Sequence, residues 1–225
     1  MELDIRIKMN EKLYLRNPEE SALGKKIVRN GIQLINKLGF EEFTFKKLAT
    51  DSGTTEASIY RYFENKHRLL MYLISWYWNY LEYKVVFSLN NLKDPELKLK
   101  TIIKLLVEDH QNKDLNSDYI SEKEAYRLLI WEGSKAYLTR SIAKDNKDRL
   151  FKPYKDLCER FSKVIREYNP TYKFSHSLAS TILEMAHSLK FFKQNLPALT
   201  DFPKEPDDKK IVLFLETLLF SAIAK

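Results

Sequence analysis

Residues 44–66 read TFKKLATDSGTTEASIYRYFENK, and this stretch decides the architecture. Thr44 is placed to cap a helix over 45–51, and Ser52, Gly53 and Thr54 break it. A second short helix over 55–63 follows at once, and Glu64, Asn65 and Lys66 form a brief joint. Short helix, glycine-containing turn and short helix make the helix-turn-helix plan, in which the second helix enters the DNA major groove and the first lies across the backbone. The residues meet its physical requirements. Gly53 permits the tight turn, and Leu48, Ala49 and Ile59 bury between the two helices. Thr54, Thr55, Glu56, Ala57 and Ser58 are short or polar, as a helix end facing base edges requires. Tyr60, Arg61, Tyr62 and Lys66 offer hydrogen bonds and charge to phosphates. The spacing alone also suits a helical hairpin in an ordinary bundle, with the aromatic residues as core.

The flanks read as helices throughout. Residues 1–16 alternate weakly (Leu3, Ile5, Ile7, Met9) but have no partner strand, so an extended or poorly ordered arm over 1–17 is expected. Asn17 then caps, Pro18 takes the first helical position, and Glu20 sits where a capping-box acid belongs. Ile27, Val28, Ile32, Ile35 and Leu38 follow at helical spacing, and Gly39 stops the helix. A long helix is expected over 67–88 and another over 96–109, followed by a polar loop over 111–118. Ser121 and Glu124 make a capping box. Helices over 145–168 (interrupted near Pro153), 174–195 and 208–224 complete the chain, the last capped by Asp207 or Asp208. The expected fold is all-α: a three-helix reading head over 18–66 and a larger helical domain over 67–225.

Composition narrows the functional classes. The 225 residues are 44% hydrophobic, 31% charged and 13% aromatic, which suits a packed globular core. Cys158 is the sole cysteine, so no disulfide framework exists and a reducing compartment fits; it reads as a small buried apolar group. No basic n-region with an apolar segment opens the chain, and no membrane-length apolar run occurs, so a soluble cytoplasmic protein is expected. The net charge is +7, and residues 24–70 carry nine basic against five acidic side chains, over half of that excess. This asymmetry points to an anionic partner for the N-terminal region.

The string from Gly39 to Leu70, GFEEFTFKKLATDSGTTEASIYRYFENKHRLL, resembles the DNA-binding domain of TetR-type (TetR/AcrR) bacterial regulators. Gly39-Phe40, Thr44, Leu48-Ala49, Gly53, the run Ile59-Tyr60-Arg61-Tyr62-Phe63, Asn65-Lys66 and Leu69-Leu70 carry the likeness. The resemblance implies that Thr44 bonds a phosphate with Lys46 nearby, and that Glu56, Ala57 and Ser58 face bases. It further implies that Tyr60 and Tyr62 touch the backbone, Arg61 backbone or base, and Lys66 a phosphate. Glu56 stands apart as an acid at a base-facing position, suited to cytosine N4 or else turned outward.

The resemblance also implies a homodimer through residues 174–195 and 208–224 reading a palindromic double-stranded operator, and a repressor released by an unidentified small molecule. In the last helix Ile211, Leu215, Leu218, Leu219 and Ala222 share one side, with Phe214 and Phe220 beside it; core within one chain is their other reading. Trp76, Tyr77, Tyr80, Tyr83, Phe87, Tyr126, Trp131 and Tyr154 are candidates to line a pocket for a hydrophobic or aromatic ligand, although such stripes also serve as plain core. No cofactor, metal site or catalytic group is expected. The four histidines (67, 110, 176, 187) lack metal-ligand spacing, and no GxSxG, P-loop or GxGxxG occurs. The alternatives are an activator or protein-regulated factor of the same type, and a helical ligand-binding or interaction protein that no longer binds DNA.

Overall fold

Asn17 does cap a helical turn, though not the long helix expected to follow it. Its side chain accepts from the N–H of Glu19 at 3.1 Å and closes a 3₁₀ turn over Pro18–Glu20. Ser21 then caps α1 (Ala22–Leu38), accepting from the N–H of Gly24 at 3.0 Å. The turn crosses α1 so closely that a Cβ on Gly24 would lie 2.3 Å from the Pro18 carbonyl oxygen. Glycine is therefore required there, and the helix start is displaced to the next residue able to cap.

The computed structural model describes residues 7–107, 119–202 and 208–224. All regular structure among them is helical. After α1 come α2 (Phe45–Ser52), α3 (Glu56–Tyr60), α4 (Lys66–Leu89), α5 (Pro95–Val107), α6 (Glu122–Tyr137), α7 (Ile142–Lys147), α8 (Lys152–Tyr168), α9 (Ser175–Asn195) and α10 (Lys209–Ile223). The loop expected over 111–118 lies outside the described residues, as do 203–207, with Asp207, in the expected loop before α10. Among the described residues no helix is long and apolar enough to cross a membrane. The described residues fall into two compact units, 7–77 with 119–152, and 78–107 with 153–202 and 208–224.

The first unit is built on α1. Ile27, Val28, Ile32 and Ile35 of α1 are buried, as are Leu48 of α2, Ile59 of α3 and Leu69 and Leu70 of α4. At ~1.5–3 kcal/mol for each buried aliphatic side chain, this shared core holds two helices, α2 and α3, too short to stand alone. α6 packs against α1; Asn36 of α1 donates to the Glu124 carbonyl at 3.0 Å, and just past α1 the Phe40 N–H donates to Glu132 at 3.0 Å. The residues before α1 are folded. Met9 and Leu13 are buried, a 3₁₀ turn covers Glu11–Leu13, and Asn10 donates to the Asp148 carbonyl at 3.0 Å. The arm expected to be extended or poorly ordered is extended on either side of this turn and, over 7–17, is held by buried apolar residues and by a hydrogen bond to a distant part of the chain. Glu19 accepts hydrogen bonds from the hydroxyls of Tyr72 and Tyr119. Burial, followed by contact with this carboxylate, raises the Tyr119 hydroxyl far above its ordinary range.

The helix expected over 145–168 is two helices. Arg149 adopts φ 59°, a left-handed conformation costing a non-glycine residue roughly 1–2 kcal/mol, and α8 restarts with Pro153 in its first turn. In the second unit α5, α9 and α10 pack on one another. Ile102 and Ile103 meet this core with Ile182, Leu183, Ile211, Leu215 and Leu219, all fully buried. Asp208 stands before α10 but makes no side-chain cap; its carboxylate pairs with Lys190 at 2.7 Å and Lys193 at 3.0 Å.

Candidate nucleic-acid interface

α2 and α3 are short, and their ends are set by side chains rather than by packing. Thr44 accepts from the N–H of Lys47 at 3.2 Å, and Thr55 from the N–H of Ser58 at 3.2 Å. Between them Gly53 adopts φ 62°, ψ 40°, and its N–H reaches the Ala49 and Thr50 carbonyls. A Cβ there would meet nothing within 4 Å, so the demand for glycine is purely conformational. Asn65 caps α4, accepting from the N–H of Arg68 at 2.9 Å. Inside, Leu48, Ala49 and Ile59 are buried as their spacing predicts.

The outer surface sorts the expected contact residues. Thr44, Lys46, Thr55, Glu56, Ala57, Tyr60 and Arg61 are exposed, and Thr54 and Ser58 are half-buried. Thr55 and Ser58 also share a hydroxyl contact at 3.0 Å. Tyr60 is 49% exposed and its ring meets Phe45 edge-on at 5.0 Å, which fixes its direction without engaging the hydroxyl. Among the described residues the side chains of Lys46 and Arg61 have no ion-pair or hydrogen-bond partner. Lys47 differs: its ammonium donates to the Glu42 carbonyl at 2.7 Å and pairs with the Glu42 carboxylate at 3.6 Å.

Two expected contacts are placed otherwise. Tyr62 is buried, and its hydroxyl lies 2.8 Å from Ser21 Oγ, so it joins α1 to the end of α3 rather than facing out. Lys66 donates to the carbonyls of Phe40, Glu41 and Phe43 at 2.9, 3.0 and 3.1 Å, with its ammonium over the Phe40 ring. An ammonium has three donors, and all three are engaged here. Lys66 therefore gathers the α1–α2 turn and holds no donor for a phosphate. A cation outside the sequence reading meets Tyr62: the Arg16 guanidinium lies over its ring, 5.5 Å from the centre. Its signal was the repeat of basic residues at 8, 12 and 16.

A family profile described as bacterial regulatory proteins, tetR family, matches residues 27–73, from within α1 to the first turns of α4. The chain carries a TetR-family domain. No curated protein matches the chain. Solved structures match over most of its length. FadR from Bacillus halodurans, a fatty acid degradation regulator, is 20% identical, covering 86% of this chain and 96% of its own, with a TM-score of 0.60. AibR in complex with isovaleryl coenzyme A and operator DNA is 15% identical, covering 86% and 96%, with a TM-score of 0.59. A transcriptional regulator from Saccharomonospora viridis in complex with choline is 15% identical, covering 88% and 94%, with a TM-score of 0.59. At these identities the likeness establishes the fold: the helices beyond the TetR segment follow the same arrangement.

The eight aromatic residues expected to line a pocket are divided between the two units. Trp76, Tyr77, Tyr126 and Trp131 belong to the first unit, and Tyr80, Tyr83, Phe87 and Tyr154 to the second. In the first, Tyr77 and Tyr126 are buried with rings 5.7 Å apart, whereas Trp131 is 49% exposed. In the second, Tyr83 stacks on Phe87, which is 71% exposed. Trp131 and Phe87 are therefore surface groups and wall no interior pocket, since composition reports no direction. Tyr154 instead packs on buried Trp78 at 4.8 Å and donates to Glu184 at 2.8 Å. Trp78 in turn meets His187 edge-on at 5.3 Å, a grouping that no local spacing announces. Cys158 is half-buried, and burial raises its thiol above the ordinary range, as does Glu159 beside it.

Proposed function

We propose that the chain is a homodimeric, sequence-specific DNA-binding regulator that represses transcription in the cytoplasm and is released from a palindromic operator by a small hydrophobic or aromatic ligand. The observation that carries this is the outer face of a TetR-type head. Arg61, Tyr60 and Lys46 stand exposed around a side-chain-capped α3, and neither cation is neutralised from within. Residues 18–66 act as the reading head, and 67–225 bind the effector and form the dimer. Glu56, Ala57 and Ser58 face the bases, and Thr44 and Tyr60 the backbone.

α9 and α10 supply the dimer contact. Ile211, Leu215 and Leu219 are consumed by the core of one chain, so the contact falls to the other side of α10. There Leu213 is 63% exposed, beside exposed Phe214, with Thr217 one turn on. Two heads so joined read two half-sites about one helical turn, ~34–36 Å, or a multiple apart. Trp78, Tyr154 and His187 are the ligand contacts in the second unit. The ligands held by AibR and the Saccharomonospora viridis protein support a small-molecule effector in this fold. A ligand that favours a different spacing of the heads shifts the population away from the DNA-bound form.

Fluorescence anisotropy with the chain's own upstream DNA, against a scrambled duplex and across a salt series, tests the reading. The wild-type chain is expected to prefer the native fragment at two subunits per site. Arg61→Ala weakens that binding at least tenfold while thermal unfolding stays unchanged. Arg61→Ala with wild-type affinity contradicts the assignment of α3. A wild-type chain with no salt-sensitive binding to any DNA favours a helical ligand-binding protein whose head reads nothing.

A further inference from the structure

The segment before α1 is built, not loose. Leu13 is fully buried, Met9 nearly so, and Asn10 caps the turn between them by accepting from the N–H of Lys12 at 2.9 Å. The segment is pinned at two places. Asn10 donates to the carbonyls of Asp148 and Arg149 at 3.0 and 3.3 Å. Five residues later the N–H of Leu15 donates to the Tyr62 carbonyl at 2.8 Å, which delivers Arg16 to the ring of Tyr62. Tyr62 directly follows exposed Arg61 at the end of α3.

Three of the five exposed residues of this segment share one chemistry, the other two being Glu11 and Leu15. Lys8, Lys12 and Arg16 recur every four residues, all are exposed, and among the described residues none has an ion-pair or hydrogen-bond partner. The acids around Arg16 are engaged elsewhere: Glu20 accepts from Asn17, Glu64 pairs with Arg68 at 3.8 Å, and Glu19 holds Tyr72 and Tyr119. A guanidinium held over an aromatic face keeps N–H donors at its edge, the geometry that binds a phosphate in bidentate fashion. We propose that residues 8–16 are a second DNA-contacting element, in which Arg16 binds a backbone phosphate beside the groove that α3 enters and Lys12 adds the next cationic contact.

The inference rests on the DNA-reading head proposed above and adds to it a contact outside the helix-turn-helix. Because the segment is ordered before DNA arrives, its conformational entropy is lost on folding and not on binding. Its contacts go to phosphate, so they strengthen binding to native and scrambled duplexes alike.

The test uses a fragment that the full-length wild-type chain selects from a random duplex pool, with anisotropy titrations from about 50 to 200 mM salt. Each phosphate contact removed lowers the slope of log K against log salt by about 0.9, or roughly 3.5-fold in the affinity lost over that range. Arg16→Gln is expected to show this change, Lys12→Gln/Arg16→Gln about twice it, and Arg16→Lys the wild-type slope. Their preference for the selected over a scrambled duplex, and their melting temperatures, remain those of the wild type. Identical slopes in all variants overturn the proposal while leaving the head intact, as does a loss of thermal stability in Arg16→Gln with the slope unchanged. Failure of the wild-type chain to enrich any fragment overturns the DNA-reading head itself, and the arm with it.

Discussion

The first six helices and the later ones begin differently. Ser21, Thr44, Thr55, Asn65, Asp94 and Ser121 each place a side-chain oxygen on a backbone N–H two or three residues ahead, at the starts of α1 to α6. α7, α9 and α10 have no side-chain cap, although Ser141 and Asp208 stand at the cap positions of α7 and α10. Ser141 instead donates to Asp145 at 2.7 Å, and Asp208 pairs with two lysines of α9. The first six helices are thus delimited by neighbours in sequence, whereas the residue before α10 serves partners on another helix. A short helix that presents an outer face to a ligand gains little from packing on that face, so its ends must be fixed locally.

Removing the distant partner should cost most. Asp208→Ala takes away the carboxylate shared by two nearly buried ammonium groups, and a loss of about 3 kcal/mol is expected in urea unfolding. A change within 0.5 kcal/mol would break the comparison, because α10 would then be set by its apolar face alone. Lys66 comes next, as a residue of the head that acts through three distant carbonyls. Lys66→Ala should lower stability by about 1.5–3 kcal/mol and leave the salt slope of DNA binding unaltered. A slope shallower by about one phosphate, with stability kept, would return Lys66 to a phosphate role. The smallest effect belongs to the local caps. Thr44→Ala is expected to cost ~1 kcal/mol, and Thr44→Ser to restore it, as read by the unfolding midpoint. Equal midpoints for Thr44→Ala and wild type would show that α2, too, is held by its neighbours.

The same division separates what was legible in the sequence from what was not. The all-helical class, the turn at Gly53, the caps Thr44 and Ser121 and the buried set Leu48, Ala49 and Ile59 all follow from spacing within four residues, and the structure has each of them. The helix start at Ser21 was missed by a few residues. The signal at Asn17 is real, but it closes a 3₁₀ turn that then lies across Gly24. Direction was not legible at all. Tyr60 and Tyr62 are two residues apart and chemically alike, yet one is half-exposed and the other is buried against Ser21.

What the sequence determined by itself was the all-helical class and the helix-turn-helix within it, because a backbone hydrogen bond and its cap involve residues that the chain already holds side by side. Only the tertiary structure decided that Lys66 serves carbonyls, that Asp208 serves α9, and that Arg16 comes to rest on Tyr62. Each of those contacts joins residues 15 to 46 positions apart, and their meeting depends on how buried apolar faces bring separate elements together.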